Sequence, residues 1–248
     1  MMSGLKLQTK NLSKSYDGRL IIDDINIKLN KNEIVSVIGI SGSGKTTLFN
    51  LLSGLEMPDN GQVFLEEEDI TGKPGKISYM LQKDLLLPHK KILDNVVIGL
   101  MVKGMSKREA YKKTEGLFEI FGIEGTQNLY PNQLSGGMRQ RAALLRTYLC
   151  TDGVALLDEP FSALDTITKG QMHKWYIDMF DKLQMSTILI THDIEEAIYL
   201  SDRIYVLGGS PGTIKHEVII DKSKKEREEF MMTQEFLSYK KQLKEMLL

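Results

Sequence analysis

Apolar residues recur along this chain in two rhythms, and the switches between them mark out its elements. Near the start Ile25, Ile27 and Leu29 alternate with Asn26, Lys28 and Asn30, the two-residue period of a half-buried strand. The opening segment reads as antiparallel strands, with Tyr16-Asp17-Gly18 turning one into the next and Asn30-Lys31-Asn32 leading onward. Ile34-Val35-Ser36-Val37-Ile38 is short, apolar and continuous, the pattern of a strand covered on both faces. Helical spacing begins at Leu48-Phe49-Asn50-Leu51-Leu52. After the turn Met57-Pro58-Asp59-Asn60-Gly61, the stretches Gln62 to Leu65 and Lys76 to Leu81 predict two more strands, the second ending at Gln82.

The rhythm then becomes helical. Ile92 to Met101 is apolar with helical spacing, and Ser106-Lys107-Arg108-Glu109 is a capping box predicting a helix to about Phe121, with Gly122 as its stop. Leu134 to Leu149 continues the pattern. Val154-Ala155-Leu156-Leu157 and Thr187-Ile188-Leu189-Ile190 are again buried-strand runs, with a helix near 168–183 between them and another from Ile194. Arg203 to Leu207 and Lys215 to Ile220 predict closing strands. The chain is therefore read as one α/β domain over 1–248. Residues 1–85 and 151–222 form the core with its antiparallel strands, 86–150 a helical insertion, and 223–248 a helical tail packing Phe236, Tyr239, Leu243 and Met246 inward.

Composition narrows this picture only slightly. The 248 residues are 42% hydrophobic and 26% charged, ordinary for a globular protein. A formal net charge of −1 offers no field to recruit nucleic acid. The one cysteine, Cys150, excludes an internal disulfide framework and reads as a small core residue in a reducing compartment. Met1-Met2-Ser3-Gly4-Leu5-Lys6 lacks the apolar stretch of a signal peptide. No run approaches the roughly 18 apolar residues of a membrane span, so a role at a membrane requires another protein to hold the chain there.

The chemistry concentrates where strands give way to turns. Gly39-Ile40-Ser41-Gly42-Ser43-Gly44-Lys45-Thr46-Thr47 fits G-x-x-x-x-G-K-[ST], placed between a strand and a helix. Its glycines let several backbone N–H groups point at one phosphate, and the helix turns its positive end to the same place. Lys45 would reach the β- and γ-phosphates, and Thr46 would ligate Mg²⁺. Asp158 ends the Val154–Leu157 strand, where open α/β sheets put their ligand chemistry. It can hold Mg²⁺ through water, while Glu159 is free to act on an attacking water. His192 ends another strand and can reach the γ-phosphate or order that water; Gln82, at a third strand end, can touch Mg²⁺ or water. Leu134-Ser135-Gly136-Gly137-Met138-Arg139-Gln140 is a second Gly-containing turn into a helix N-terminus. Two such anion sites on one chain suggest that one serves a nucleotide carried by another copy. Tyr16 offers a flat face for a purine, or is simply an exposed turn residue.

Together these residues resemble the ATP-binding subunit of an ATP-binding-cassette (ABC) transporter over nearly the whole chain. The resemblance implies a P-loop NTPase fold, with a RecA-like core, an antiparallel β subdomain and a helical subdomain. Gly39–Thr47 is similar to the Walker A motif, Gln82 to the Q-loop, Leu134–Gln140 to the family signature and Val154–Asp158 to Walker B. Glu159 stands as the catalytic glutamate, Ser162-Ala163-Leu164-Asp165 as the D-loop, His192 as the switch histidine, and Tyr16 as the adenine-stacking aromatic. Met80–Pro88, Ile92–Val96 and Ser210-Pro211-Gly212-Thr213-Ile214 look like the nitrate, sulfonate and taurine importer group, which includes thiamine-precursor importers. Asn32 replaces a usual glycine, His89 a frequent tryptophan and Thr213 a common arginine.

What the resemblance implies is an ATPase using ATP and Mg²⁺ and working as a head-to-tail dimer, with Ser135–Gly137 of each copy facing the other's P-loop. It further implies permease subunits docked through Gln82–Leu87, a solute-binding protein engaged indirectly, and a peripheral position on the cytoplasmic face of the membrane. Exposing Leu85-Leu86-Leu87 in a monomer would be costly, which also favours a partner there. An iron–sulfur assembly scaffold, a translation or DNA-repair ABC protein and an inactive nucleotide module are the competing readings. Against them stand the Pro88 and Pro211-Gly212 segments, the single cassette with near-neutral charge, and the presence of both Glu159 and His192.

Overall fold

The computed structural model describes residues 4–151 and 153–247; the parts of the terminal and boundary readings that fall on Met1, Met2, Ser3, Asp152 and Leu248 lie outside them. Among the described residues the chain forms two sheets. In the smaller, the long strand β1 (Leu5–Tyr16) pairs with β2 (Arg19–Ile25), β3 (Lys28–Asn30) and, further along the chain, β5 (Asn60–Leu65), all antiparallel, and β6 (Glu68–Asp69) extends it. The β1–β2 turn places Asp17 and Gly18 at φ of 48° and 76°, the paired positive angles that match the twist of a tight hairpin. The predicted alternation Ile25, Ile27, Leu29 is real, and all three are buried, but it spans two strands rather than one. Thr9 bridges the gap: its hydroxyl donates to the Ile25 carbonyl at 2.8 Å and accepts from the Ile27 N–H at 2.9 Å.

The larger sheet has β4 (Ile34–Ile38) near its centre, between β9 (Ser186–Ile190) and β10 (Arg203–Gly208). Beyond β9 lie β8 (Val154–Asp158) and β7 (Ser78–Met80), all parallel, and β11 (Thr213–Ile219) closes the opposite edge antiparallel to β10. Every residue of β4 and β9 is buried, as expected where helices or sheet cover both faces. The predicted strand from Lys76 to Leu81 is shorter than its apolar pattern, because only Ser78 to Met80 pair with β8. Asn32 at φ 58° makes the tight entry to β4, the left-handed conformation asparagine tolerates.

Helix α1 (Lys45–Leu52) fills the space between the sheets, packing Leu48, Phe49, Leu51 and Leu52 against Leu7 and Val63 on one side and Val35 and Ile188 on the other. The helices α2 (Ile92–Val96), α3 (Ile98–Val102), α4 (Lys107–Lys112), α5 (Leu117–Ile120) and α6 (Gly136–Cys150) lie in sequence between β7 and β8. Their apolar faces join α7 (Thr166–Leu183) in a second core against Leu157 and Leu189.

Periodicity predicted longer helices here than form. Ile92–Met101 breaks at the fully buried Val97, and Ser106–Phe121 breaks at Gly116, whose φ of 73° no helix admits. The Ser106–Glu109 capping box is present, and Gly122 ends α5. Cys150 is only partly buried at the end of α6, because the helix stops as it reaches the surface.

Helices α8 (Ile194–Leu200), α9 (Arg227–Phe230) and α10 (Gln234–Met246) build a third cluster, in which Phe236 and Leu243 are buried and Tyr239 and Met246 pack alongside, the stripe expected of the tail. The fully buried Arg227 holds this region together. Its guanidinium donates to the carbonyls of Ile198, Ser201 (2.9 Å) and Lys222 (3.0 Å). Arg227→Met keeps most of the volume but takes the guanidinium donor from two buried carbonyls, Ile198 and Ser201, and from the part-buried Lys222 carbonyl. We expect a loss of about 3 kcal/mol, read as a lower urea midpoint at unchanged slope.

Candidate functional site

The loop between β4 and α1 takes its shape from two contacts that side chains would forbid. Gly44 has φ 95°, and a Cβ there would come within 2.3 Å of the Ile22 side chain; a Cβ on Gly39 would meet the Leu207 carbonyl oxygen at 2.4 Å. The loop therefore lies tight against its neighbours and closes on itself, the Ser43 N–H donating to the Ile40 carbonyl at 3.2 Å. Lys45 folds back over it, donating to the carbonyls of Gly39 (2.8 Å) and Ile40 (2.9 Å). Burial lowers the affinity of this ammonium for its proton, against the opposing pull of Glu159 and Asp158. Ser43 is buried and its Oγ has no hydrogen-bond partner within the chain, an orphan that a bound oxyanion would satisfy.

The parallel sheet brings the other strand ends to the same place. A cleft of about 530 Å³ is lined by Gly39, Ser41, Gly42, Gly44, Lys45, Thr46, Thr47, Gln82, Asp158, Glu159 and His192, with Ile21 and Ile190 as its apolar wall. Glu159 is its hub. Its carboxylate accepts from Gln82 Nε2 at 2.8 Å and lies 3.0 Å from His192 Nδ1. Its φ of 45° puts a non-glycine residue in the left-handed region, a cost of about 1–2 kcal/mol. The backbone N–H of Glu159 donates to the Ile190 carbonyl (2.9 Å), and the Glu159 carbonyl accepts from the Ser162 hydroxyl (3.0 Å). Burial and then the adjacent Glu159 charge raise the Asp158 pKa, which the Tyr79 hydroxyl partly offsets from 3.3 Å.

The remaining predicted residues lie outside this cleft. Tyr16, exposed at the hairpin tip, donates its hydroxyl to Glu56, which also accepts from Asn50 of α1 at 2.7 Å. Ser135 caps α6, its hydroxyl accepting from the Met138 N–H at 3.3 Å. Gly136 borders an adjoining cavity with Gln82, Glu159, Ser162 and His192, not the P-loop cleft, and Gly137 lies against Thr168 of α7. Asp165 caps α7 by accepting from the N–H groups of Ile167 and Thr168, each at 3.1 Å. The three leucines after Gln82 part ways. Leu85 is exposed, whereas Leu86 is buried in the helical core and Leu87 is half-buried, so the exposed apolar run is smaller than the sequence implied.

The profile of the ABC transporter family matches residues 22–162, more than half of the chain. The chain belongs to that family. The formylaminopyrimidine import ATP-binding protein ThiZ of Halalkalibacterium halodurans is 43% identical over 92% of this chain and 90% of its own length. The nitrate import ATP-binding protein NrtD of Synechocystis sp. is 37% identical over 88% of this chain and 83% of its own. Among solved structures, a dimeric ATP-binding cassette in a post-hydrolysis state with ADP and Pi superposes with a TM-score of 0.73 at 28% identity, over 88% of this chain and all of that one. This cassette is an ATPase with the P-loop ABC fold that its motif order implied.

Two participants in the ABC site escaped the sequence reading. Tyr79 alternates within an apolar strand and gave no sign that its hydroxyl would reach Asp158. The left-handed backbone at Glu159 likewise leaves no mark in residue type. Since Lys45 is the cation aimed into the loop, Lys45→Ala should remove a charge-assisted contact of about 1.5–3 kcal/mol. Titration calorimetry with a non-hydrolysable ATP analogue should show Kd rising ten-fold or more, with the thermal midpoint of the unliganded protein nearly unchanged.

Proposed function

We propose that the chain is the ATP-hydrolysing subunit of a membrane importer for a small solute of the nitrate, sulfonate, taurine or thiamine-precursor type. The observation that carries this reading is the convergence of Lys45, Thr46, Gln82, Asp158, Glu159 and His192 on one cleft beside a phosphate-shaped loop. Support for import comes from the two relatives, which are named for uptake of formylaminopyrimidine and of nitrate.

In this reading the base stacks on Tyr16, and the N–H groups of Ser41 to Thr47 take the phosphates. Lys45 exchanges the Gly39 and Ile40 carbonyls for β- and γ-phosphate oxygens. The donor set fits Mg²⁺: the Thr46 hydroxyl, the Asp158 carboxylate and the Gln82 amide oxygen are hard oxygen ligands, and Gln82 uses only its nitrogen on Glu159. Among the described residues no cluster of three or more His, Cys, Asp or Glu could hold a metal unaided, so nucleotide oxygens would complete the shell. A bound cation there would draw charge from the phosphates. Glu159 accepts the proton of the attacking water, and His192 holds Glu159 in line while facing the γ-phosphate.

Ser135, Gly136 and Gly137 complete the site from a second copy arranged head to tail, with Asp165 near the same seam. The absence of Gly136 from the lining of its own P-loop cleft supports this arrangement, as does the dimeric state of the related cassette. Permease subunits dock at Gln82–Leu87, where Leu85 is exposed, and a solute-binding protein acts through them. No helix among the described residues is long and apolar enough to cross a membrane, which suits a subunit held peripherally on the cytoplasmic face by its permease. Near-neutral charge gives no reason to invoke nucleic acid.

Ser135→Arg tests the composite site. It should leave the ATP affinity of the monomer within two-fold while hydrolysis collapses, because the bulky cation meets the opposite copy's nucleotide. Loss of ATP binding by the isolated monomer would show that both turns act within one chain. Glu159→Gln should retain ATP binding, lower hydrolysis by about 10²–10⁴-fold and accumulate an ATP-dependent dimer on size-exclusion chromatography. A Glu159→Gln protein that stays monomeric and hydrolyses at the wild-type rate would overturn the assignment.

A further inference from the structure

A partly buried ion cluster lies directly behind His192. Lys169, one turn into α7, donates to Asp193 Oδ2 at 2.6 Å and to Glu196 Oε2 at 3.0 Å. Asp193 follows His192 in the chain and caps α8, its other oxygen accepting from the N–H groups of Glu195 (2.9 Å) and Glu196 (3.2 Å). Glu196 is 2% exposed and also lies 3.2 Å from His173 Nε2. The His173 ring meets Phe161 edge to face with centroids 5.0 Å apart, and Phe161, fully buried, sits two residues beyond Glu159.

The cluster thus ties together the chain on both sides of the Glu159–His192 contact. Helix α7 is capped by Asp165, at the end of the loop that Glu159 opens, and α8 by Asp193, immediately after His192. Without Lys169, Asp193 and the buried Glu196, both on the α8 side, would lose the cation that ties them to α7, leaving Glu196 with a buried charge and the His192–Asp193 corner with one anchor fewer. Burial works against the charge on Lys169, but its bonds to Asp193 and Glu196 outweigh it and hold the ammonium protonated above its ordinary range.

We propose that Lys169 is a positioning residue for ATP hydrolysis: by clamping Asp193 and Glu196 to α7 it fixes His192 against Glu159. The inference rests on the reading of His192 as part of the hydrolytic site. Lys169 touches neither the P-loop nor its cleft, so it acts on the geometry of the reacting groups and not on nucleotide affinity. Displacement of such a group by about 1 Å can cost on the order of 10²-fold in rate.

The test is steady-state hydrolysis by the full chain carrying Lys169→Met, Lys169→Arg, His192→Ala and the Lys169→Met/His192→Ala pair. Lys169→Met should lower kcat at least ten-fold while KM for ATP stays within two-fold, and Lys169→Arg should restore most of kcat. In the His192→Ala background Lys169→Met should cost nothing further, because the residue through which it acts is gone. Asp193→Asn, which keeps the helix cap but not the ion pair, should reproduce the kcat loss and serves if Lys169→Met does not fold. An unchanged kcat in Lys169→Met and Asp193→Asn, or a Lys169→Met loss that persists undiminished beside His192→Ala, would overturn the proposal. Full hydrolysis by His192→Ala would instead overturn the reading of His192, and with it the premise of the clamp.

Discussion

The parallel ladder joining β4, β9, β8 and β7 is the constraint on which the rest depends. Parallel strands whose two faces are both covered must be apolar throughout, and their connections must cross the sheet and return in the same direction. All carboxyl ends therefore meet at one edge. Ile38, Asp158, Ile190 and Met80 each lead there into a loop that carries chemistry. The last pair of the ladder, Asp158 with Ile190, is closed by the Glu159 N–H, which donates to the Ile190 carbonyl. That bond holds Glu159 at the strand end, where it takes a left-handed backbone and its carboxylate lies 3.0 Å from His192 Nδ1.

Opposite charges meet at this edge in a partly buried setting. Asp158 and Glu159 are adjacent carboxylates, and the burial that raises the Asp158 pKa also weakens the hold of Lys45 on its proton. Lys45 meanwhile rests on two backbone carbonyls, and Ser43 keeps a buried hydroxyl without a partner. Under the proposed function, Lys45 would exchange these carbonyls for phosphate oxygens and Ser43 would gain a partner.

The passage from β7 into the helices is braced from two directions. Asn95, fully buried, accepts from the Leu87 N–H at 2.6 Å and donates to the carbonyls of Leu87, Lys90 and Lys91. Arg146 of α6 donates to the carbonyls of Asp84 and Leu85. Helix α6 begins at Ser135 and Gly136, so the segment after Gln82 is bonded to the same rigid rod that presents the second Gly-containing turn. Gln82, which touches Glu159, thus stands two and three residues before the carbonyls of Asp84 and Leu85 that α6 holds.

What the sequence determined by itself was everything that local chemistry dictates. Glycines and a lysine in fixed spacing, an uninterrupted Val154–Leu157 run ending in two acids, a serine before Gly136-Gly137 and a capping box at Ser106 each speak through their own neighbours. The order of these motifs was enough to recognise an ABC ATPase. Tertiary structure decided matters that join residues far apart in the chain. It tied the Tyr16 hydroxyl to Glu56, brought Tyr79 to Asp158, buried Leu86 while exposing Leu85, and turned Gly136 away from its own P-loop cleft. It also broke two predicted helices, one at the fully buried Val97 and one at the exposed Gly116, whose backbone takes a positive φ. The Lys169–Asp193–Glu196–His173 cluster belongs with these. Its members lie on two helices separated by a strand, and only the crossover connection places those helices side by side, so no spacing in the sequence could announce them.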